Sequence, residues 1–232
     1  MTSVLMVLSA ANAWTLNDGT AHPTGFWAEE FVVPHDLFAE AGWDITIATP
    51  GGRTPTVDEK SLGLAGGLPS TTRRMRERLD ELAPVLAHPE DLHAIDATGF
   101  DLVFYPGGHG PMEDLAVDEA SGRLLAERLA SGTPLALLCH APAAIAATAD
   151  AEGRSPFAGR RMTGFSNLEE AMNGLAKKAP WLLEDRLKEL GVEYSSGTLP
   201  LRPHVVVDGA LYTGQNPQSS TALAERLIAD LG

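Results

Sequence analysis

One cysteine, Cys139, occurs in the 232 residues, and His140 follows it directly. Four apolar residues, Leu135-Ala136-Leu137-Leu138, lead into this pair, and Ala141-Pro142-Ala143-Ala144-Ile145 leads away from it. That order reads as a strand delivering a nucleophile onto a tight turn from which a helix starts at once. Such a turn exposes the sulfur, and a helix N-terminus aimed at it is expected to lower the thiol pKa. Pro142 suits a first helical turn, where its missing N–H leaves no bond unmade. The plainer reading is that Cys139 is a small buried hydrophobe, the common state of a lone cysteine.

A second candidate is Tyr105-Pro106-Gly107-Gly108-His109-Gly110, directly after an apolar run. Glycines let a backbone come close to a ligand and leave N–H groups free, so Gly107, Gly108 and His109 are candidates for binding substrate or an oxyanion. The loop matches neither G-x-G-x-x-G nor a Walker loop, and no nucleotide is implied. A third feature is Glu29-Glu30 ahead of an apolar helical stretch; taken alone, acids there suit the first turn of a helix. Seven histidines are scattered with no C-x-x-C or H-E-x-x-H spacing, so neither a metal nor a cofactor is expected.

The elements that must hold these residues follow from the apolar patterning. Strands are predicted at 4–9, 44–49, 102–105, 134–138, 161–165, 205–207 and 210–213, the last two around the Asp208-Gly209 turn. Helices are predicted at 26–41, 71–87, 119–131, 141–148, 168–175, 180–190 and 217–231. Residues 53–70, rich in Gly, Pro, Ser and Thr, read as a loop. Alternating strands and helices imply an α/β fold, a mainly parallel sheet with helices on both faces, whose ligands gather at the carboxyl ends of the strands. No composition shift divides the chain, so residues 1–232 read as a single domain, with insertions near 53–98 and 166–200.

Composition narrows the function classes. A formal net charge of −14 repels phosphate backbones and anionic membrane surfaces, so neither nucleic acid nor membrane is an expected partner. A lone cysteine cannot form a disulfide within the chain or a cysteine-rich zinc site, and it fits a reducing, cytoplasmic setting. The apolar start, MTSVLMVLSAANA, lacks a basic leader and reads as a buried first strand, not a signal peptide. No run of about 18 apolar residues is present.

The segments TGFWAEEFVVPHDLF, FYPGGHGPMEDL, LALLCHAP, TGFSNLEE and LYTGQNPQSS together resemble the ThiJ/PfpI family, in its heat-shock protein thirty-one branch, across nearly the whole chain. The resemblance implies the flavodoxin-like, doubly wound fold of the class I glutamine amidotransferase-like superfamily. It also implies a cofactor-free, glutathione-independent glyoxalase (a glyoxalase III lyase) that turns methylglyoxal into lactate through a cysteine nucleophile. The family glutamate, seventh in T-G-x-x-x-x-E, falls on Glu30; the nucleophile and its histidine fall on Cys139 and His140. An acid that orients the histidine falls on Glu170, with Glu169 beside it, and the oxyanion-binding N–H groups fall on Gly108 and His140. True glutamine amidotransferases place a His-x-Glu after the cysteine, whereas His88-Pro89-Glu90 precedes it here.

A carboxylate beside a thiol opposes thiolate formation. Glu30 is therefore expected to be protonated, with a raised pKa, and to donate a hydrogen bond to a sulfur of low pKa. Other activities implied for relatives are stress chaperoning and protein deglycation, and the scaffold also suits a different cysteine hydrolase or hydratase. Expected partners are a small aldehyde, glycated or unfolded proteins, and a second copy in a homodimer.

Overall fold

In the computed structural model, which describes residues 1–232, the apolar runs become a seven-stranded sheet. Its strands are β1 (Ser3–Val7), β4 (Asp44–Thr49), β5 (Glu90–Asp91), β6 (Leu102–Tyr105), β7 (Leu135–Leu138), β10 (Val205–Asp208) and β11 (Leu211–Gly214), ordered β10-β11-β7-β6-β1-β4-β5. All neighbours run parallel except β10, which returns antiparallel on β11. β6 and β7 are buried at every position. This explains why they read as unbroken apolar runs without a polar alternation. Two small pairs lie outside the sheet: β2 (Ala13–Thr15) with β3 (Ala21–Pro23), and β8 (Arg161–Met162) with β9 (Glu193–Tyr194).

Helices α1 (Ala28–Glu40), α2 (Pro69–Leu86), α3 (Gly110–Glu113), α4 (Glu119–Ser131), α5 (Asn167–Met172), α6 (Leu183–Glu189) and α7 (Ser220–Leu231) cover both faces of the sheet. α1 packs against α2 and α7, while α3, α4 and α6 pack on the segment that follows β7. One hydrophobic core runs through the molecule, built on β1, β6, β7 and β11. No helix is long and apolar enough to cross a membrane.

Three local expectations change. Residues 141–148 wind as a 3₁₀ helix (Ala141–Thr148) and not an α-helix. Its hydrogen bonds are less well aligned, so the dipole expected at Cys139 is weaker. The strand expected at 161–165 is only Arg161–Met162; Gly164 and Phe165 run on as irregular chain beside Cys139. The β2–β3 hairpin has no counterpart in the sequence reading, although Asp18-Gly19, with Gly19 at φ 80°, marks its turn. The segment 53–98 holds α2 and also β5, which joins the edge of the main sheet; α5, α6 and β9 lie within 166–200.

Candidate active site

The parallel strands end together, and their carboxyl ends bring the candidate residues to one place. Cys139 follows β7 with φ 59°, a conformation that costs a non-glycine residue about 1–3 kcal/mol. Its backbone is pinned on both sides: the N–H donates to Gly214 O at 2.8 Å, and the carbonyl accepts from Phe165 N–H at 3.0 Å. The strained elbow is thus fixed by β11 and by the chain after β8. The sulfur is enclosed, with Cys139 only 3% exposed.

His140 Nδ1 lies 3.3 Å from Cys139 Sγ. Its other nitrogen, Nε2, lies 2.7 Å from Glu170 Oε2 on α5. The ring is held between His109, with centroids 4.1 Å apart, and Phe165, at 4.4 Å. His109 Nε2 reaches the same carboxylate, 3.0 Å from Oε1, and its ring stacks on Trp14 of β2. Two imidazole N–H groups therefore converge on Glu170. Burial opposes its ionisation, but the hydrogen bonds from His109 and His140 outweigh that and hold the carboxyl well below the usual range. Burial, then the neighbouring His109, pushes the His140 pKa down against the pull of Glu170. With Nε2–H committed to Glu170, the neutral ring presents the Nδ1 lone pair to the sulfur.

On the other side of the sulfur stands Glu30, in the first turn of α1 and fully buried. Gly107 N–H donates to its Oε2 at 2.8 Å, while Oε1 has no nitrogen or oxygen partner. Burial pushes this carboxyl up to about 8. The close approach depends on glycine, since a Cβ on Gly107 would come within 2.8 Å of Glu30 Oε2 and 2.6 Å of Leu138 O. The expected raised carboxyl pKa is thus present, but the expected low thiol pKa is not. Burial and the neighbouring Glu30 push the thiol up, and the N–H of Gly108 opposes this only in part.

The remaining candidates fall as follows. Gly107 cannot offer its N–H to a substrate oxygen, because Glu30 occupies it; its place in the site is to hold that carboxyl. The N–H groups of Gly108 and His140 donate to no backbone carbonyl and border the sulfur. Glu169, one residue before Glu170, points elsewhere and bonds Ser166, Gln215 and Asn216. The rings of Trp14 and Phe165 escaped the sequence reading; Phe165 lies inside the TGFSNLEE segment, and Trp14 precedes the Asp-Gly turn. No spacing in the sequence points to a metal set, yet His109, His140 and Glu170 bring ligand-type atoms within 4.8 Å of one another. Here they serve each other as donors and acceptor.

The DJ-1/PfpI family matches residues 21–230. The glutathione-independent glyoxalase HSP31 of Saccharomyces cerevisiae is 27% identical over 97% of this chain and 96% of its own length. A protein/nucleic acid deglycase, HchA of Staphylococcus aureus, is 25% identical over 98% of this chain and 79% of its own. Among solved structures, the 24 kDa rapid encystment protein of Francisella tularensis superposes with a TM-score of 0.85 at 28% identity, covering 100% of both chains.

Proposed function

Because the chain belongs to the DJ-1/PfpI family, we propose that it is a glutathione-independent glyoxalase converting methylglyoxal, or a closely similar 2-oxoaldehyde, into the hydroxy acid. The observation that carries this reading is the unbroken path Sγ–His140–Glu170 at 3.3 and 2.7 Å, with a raised carboxyl on the opposite side of the sulfur. This arrangement offers a nucleophile, a base fixed in one tautomer, and a separate proton donor.

In the proposed reaction the Cys139 thiol passes its proton to His140 Nδ1 as sulfur bonds to the aldehyde carbon. A raised thiol pKa is no obstacle, because the proton leaves during attack and a standing thiolate is not required. The new oxyanion lies toward the N–H groups of Gly108 and His140 and takes up a proton to give the hemithioacetal. A base then removes the hydrogen from the former aldehyde carbon, giving an enediol, and a proton returns to the neighbouring carbon. The product is a lactoyl thioester, whose hydrolysis by one water releases lactate and the thiol. No electron acceptor is consumed, since one carbon is oxidised as its neighbour is reduced. His140 is the base in this scheme, and Glu30, protonated at neutral pH, donates to sulfur or to the substrate oxygen.

Access favours a small substrate. Cys139, His140, Glu30, Glu170 and His109 are each 5% exposed or less, a depth that suits a three-carbon aldehyde better than an adduct on a protein side chain. Deglycation of proteins is therefore the weaker reading. The test is to supply methylglyoxal without glutathione and measure lactate, alongside a methylglyoxal-modified peptide. Release of lactate from the free aldehyde, outpacing any release from the peptide, is expected. Absence of lactate with and without glutathione overturns the proposal.

A further inference from the structure

The proposed reaction leaves a buried ionised group next to the site, and a sequence motif, without a task. The group is Glu169, fully buried and adjacent to Glu170. The motif is TGQNPQSS, which begins in the last two residues of β11. They meet in the structure. Glu169 Oε2 accepts from Ser166 N–H (3.1 Å), Ser166 Oγ (2.7 Å) and Gln215 Nε2 (2.8 Å). Its Oε1 accepts from Asn216 Nδ2 (2.7 Å) and from Leu201 N–H (2.9 Å). Five donors on one carboxylate satisfy it fully and favour its ionised form, outweighing the burial that opposes it.

These donors come from separate stretches of chain. Ser166 is the N-cap of α5 and forms a reciprocal capping box with Glu169. Leu201 belongs to the loop before β10 and takes φ 55°, a conformation unfavourable for a leucine, while offering its N–H to the carboxylate. Gln215 and Asn216 follow β11, whose last residue, Gly214, also pins Cys139 N–H. The cysteine elbow and the short helix bearing Glu170 are therefore tied to the same few residues after β11. α5 is only six residues long, too short to hold its own rotation without such a tether.

We infer that Glu169 is a positioning residue: its buried carboxylate locks α5 to the end of β11 and so fixes Glu170 against His140 Nε2. This rests on the proposed role of His140 as base toward Cys139. The groups that act on His140 are Glu170 of α5, His109 from the loop after β6, the thiol itself and, by charge alone, the more distant Glu169; Glu30 of α1 lies beyond the sulfur. A Glu169→Gln side chain would turn an NH₂ toward donors on one oxygen and remove the charge. Glu170 would then sit less firmly on the imidazole, and the imidazolium would lose stabilisation from both acids.

The test follows the pH dependence of kcat and of the alkylation of the lone cysteine by iodoacetamide. Glu169→Gln is expected to lower kcat by about tenfold or more, the scale of a misplaced catalytic group, with KM within about twofold. The acid limb of both pH profiles should move to lower pH. Asn216→Ala, which removes one donor of five, should move both readouts the same way by less and guards against a Glu169 variant that fails to fold. If either acid-site variant remains folded by circular dichroism with an unmoved acid limb, Glu169 serves the fold alone and the inference is overturned. Alkylation does not need methylglyoxal turnover, so failure of the glyoxalase reading would leave this result interpretable.

Discussion

Two carboxyl groups serve the same sulfur, Glu30 beside it and Glu170 behind His140, and the protein treats them in opposite ways. Glu30 comes from the first turn of α1 and Glu170 from α5; both are buried. Glu170 receives ring N–H donors from His109 and His140 and is held ionised. Glu30 receives one backbone N–H, from Gly107, has a second oxygen with no nitrogen or oxygen partner, and is pushed up to about 8. Burial alone would neutralise both, so the number and charge of the donors decide between them. The pairing teaches that one residue type supplies a base-orienting anion on one side and a proton donor on the other, purely through what surrounds it.

The largest effect should come from taking away the sulfur that the two acids share. Cys139→Ala is expected to lower lactate formation by on the order of 10⁴ or more, as loss of a nucleophile does elsewhere, measured with methylglyoxal as substrate. Next comes the direct contrast between the acids. Glu170→Gln removes the anion that fixes the His140 tautomer and should cost about 10³ in kcat, less than the loss of about 10⁴ seen when the orienting acid of a catalytic triad becomes an amide. Glu30→Gln exchanges one neutral donor for another and should cost only about tenfold. The comparison breaks if Glu30→Gln proves the more damaging, for then the acid on α1 carries the essential charge.

A smaller effect sharpens it. The ionised form of Glu30 pushes the thiol up, so removing that charge matters only where Glu30 would ionise. Iodoacetamide should alkylate Cys139 at similar rates in Glu30→Gln and the starting protein at pH 6–7, and faster in the variant above about pH 8. Curves already separated at pH 6 would show that Glu30 is charged there.

The sequence made one side of this contrast far easier to read than the other. β6 and β7 are buried on both faces, so their apolar runs announce themselves, and a cysteine placed directly after such a run marks the elbow. Glu30 was identifiable only through resemblance, since an acid in a first helical turn is ordinary. Only the resemblance separates Glu170 from Glu169, because adjacent residues on a helix differ by about 100° in direction and nothing local says which one faces the histidine. The positive φ of Cys139 depends on hydrogen bonds to Gly214 and Phe165, which lie far along the chain. Trp14 was missed because a three-residue strand carries too little pattern. The lowered thiol pKa expected at Cys139 failed because enclosure and Glu30 outweigh the weak end of a 3₁₀ turn.

The smallest expected effect is on stability, and it reads the two acids with opposite sign. Glu30 binds its proton more tightly in the folded protein, with a pKa raised from 4.5 to about 8. Its contribution is therefore complete below about pH 4.5 and is lost as the pH climbs through about 8. Glu170 binds its proton less tightly when folded, so its contribution is present above the unfolded carboxylate pKa and is lost as the pH falls. Thermal unfolding of the starting protein should weaken from pH 5 to pH 9 more than that of Glu30→Gln. From pH 5 to pH 3 it should weaken more than that of Glu170→Gln. In a chain of this size each kcal/mol corresponds to about 2–4 °C, within reach of a melting experiment. Were Glu30→Gln to flatten the acid side and leave the alkaline side unchanged, Glu30 would be an ordinary ionised carboxylate, and the two acids would differ in position but not in charge.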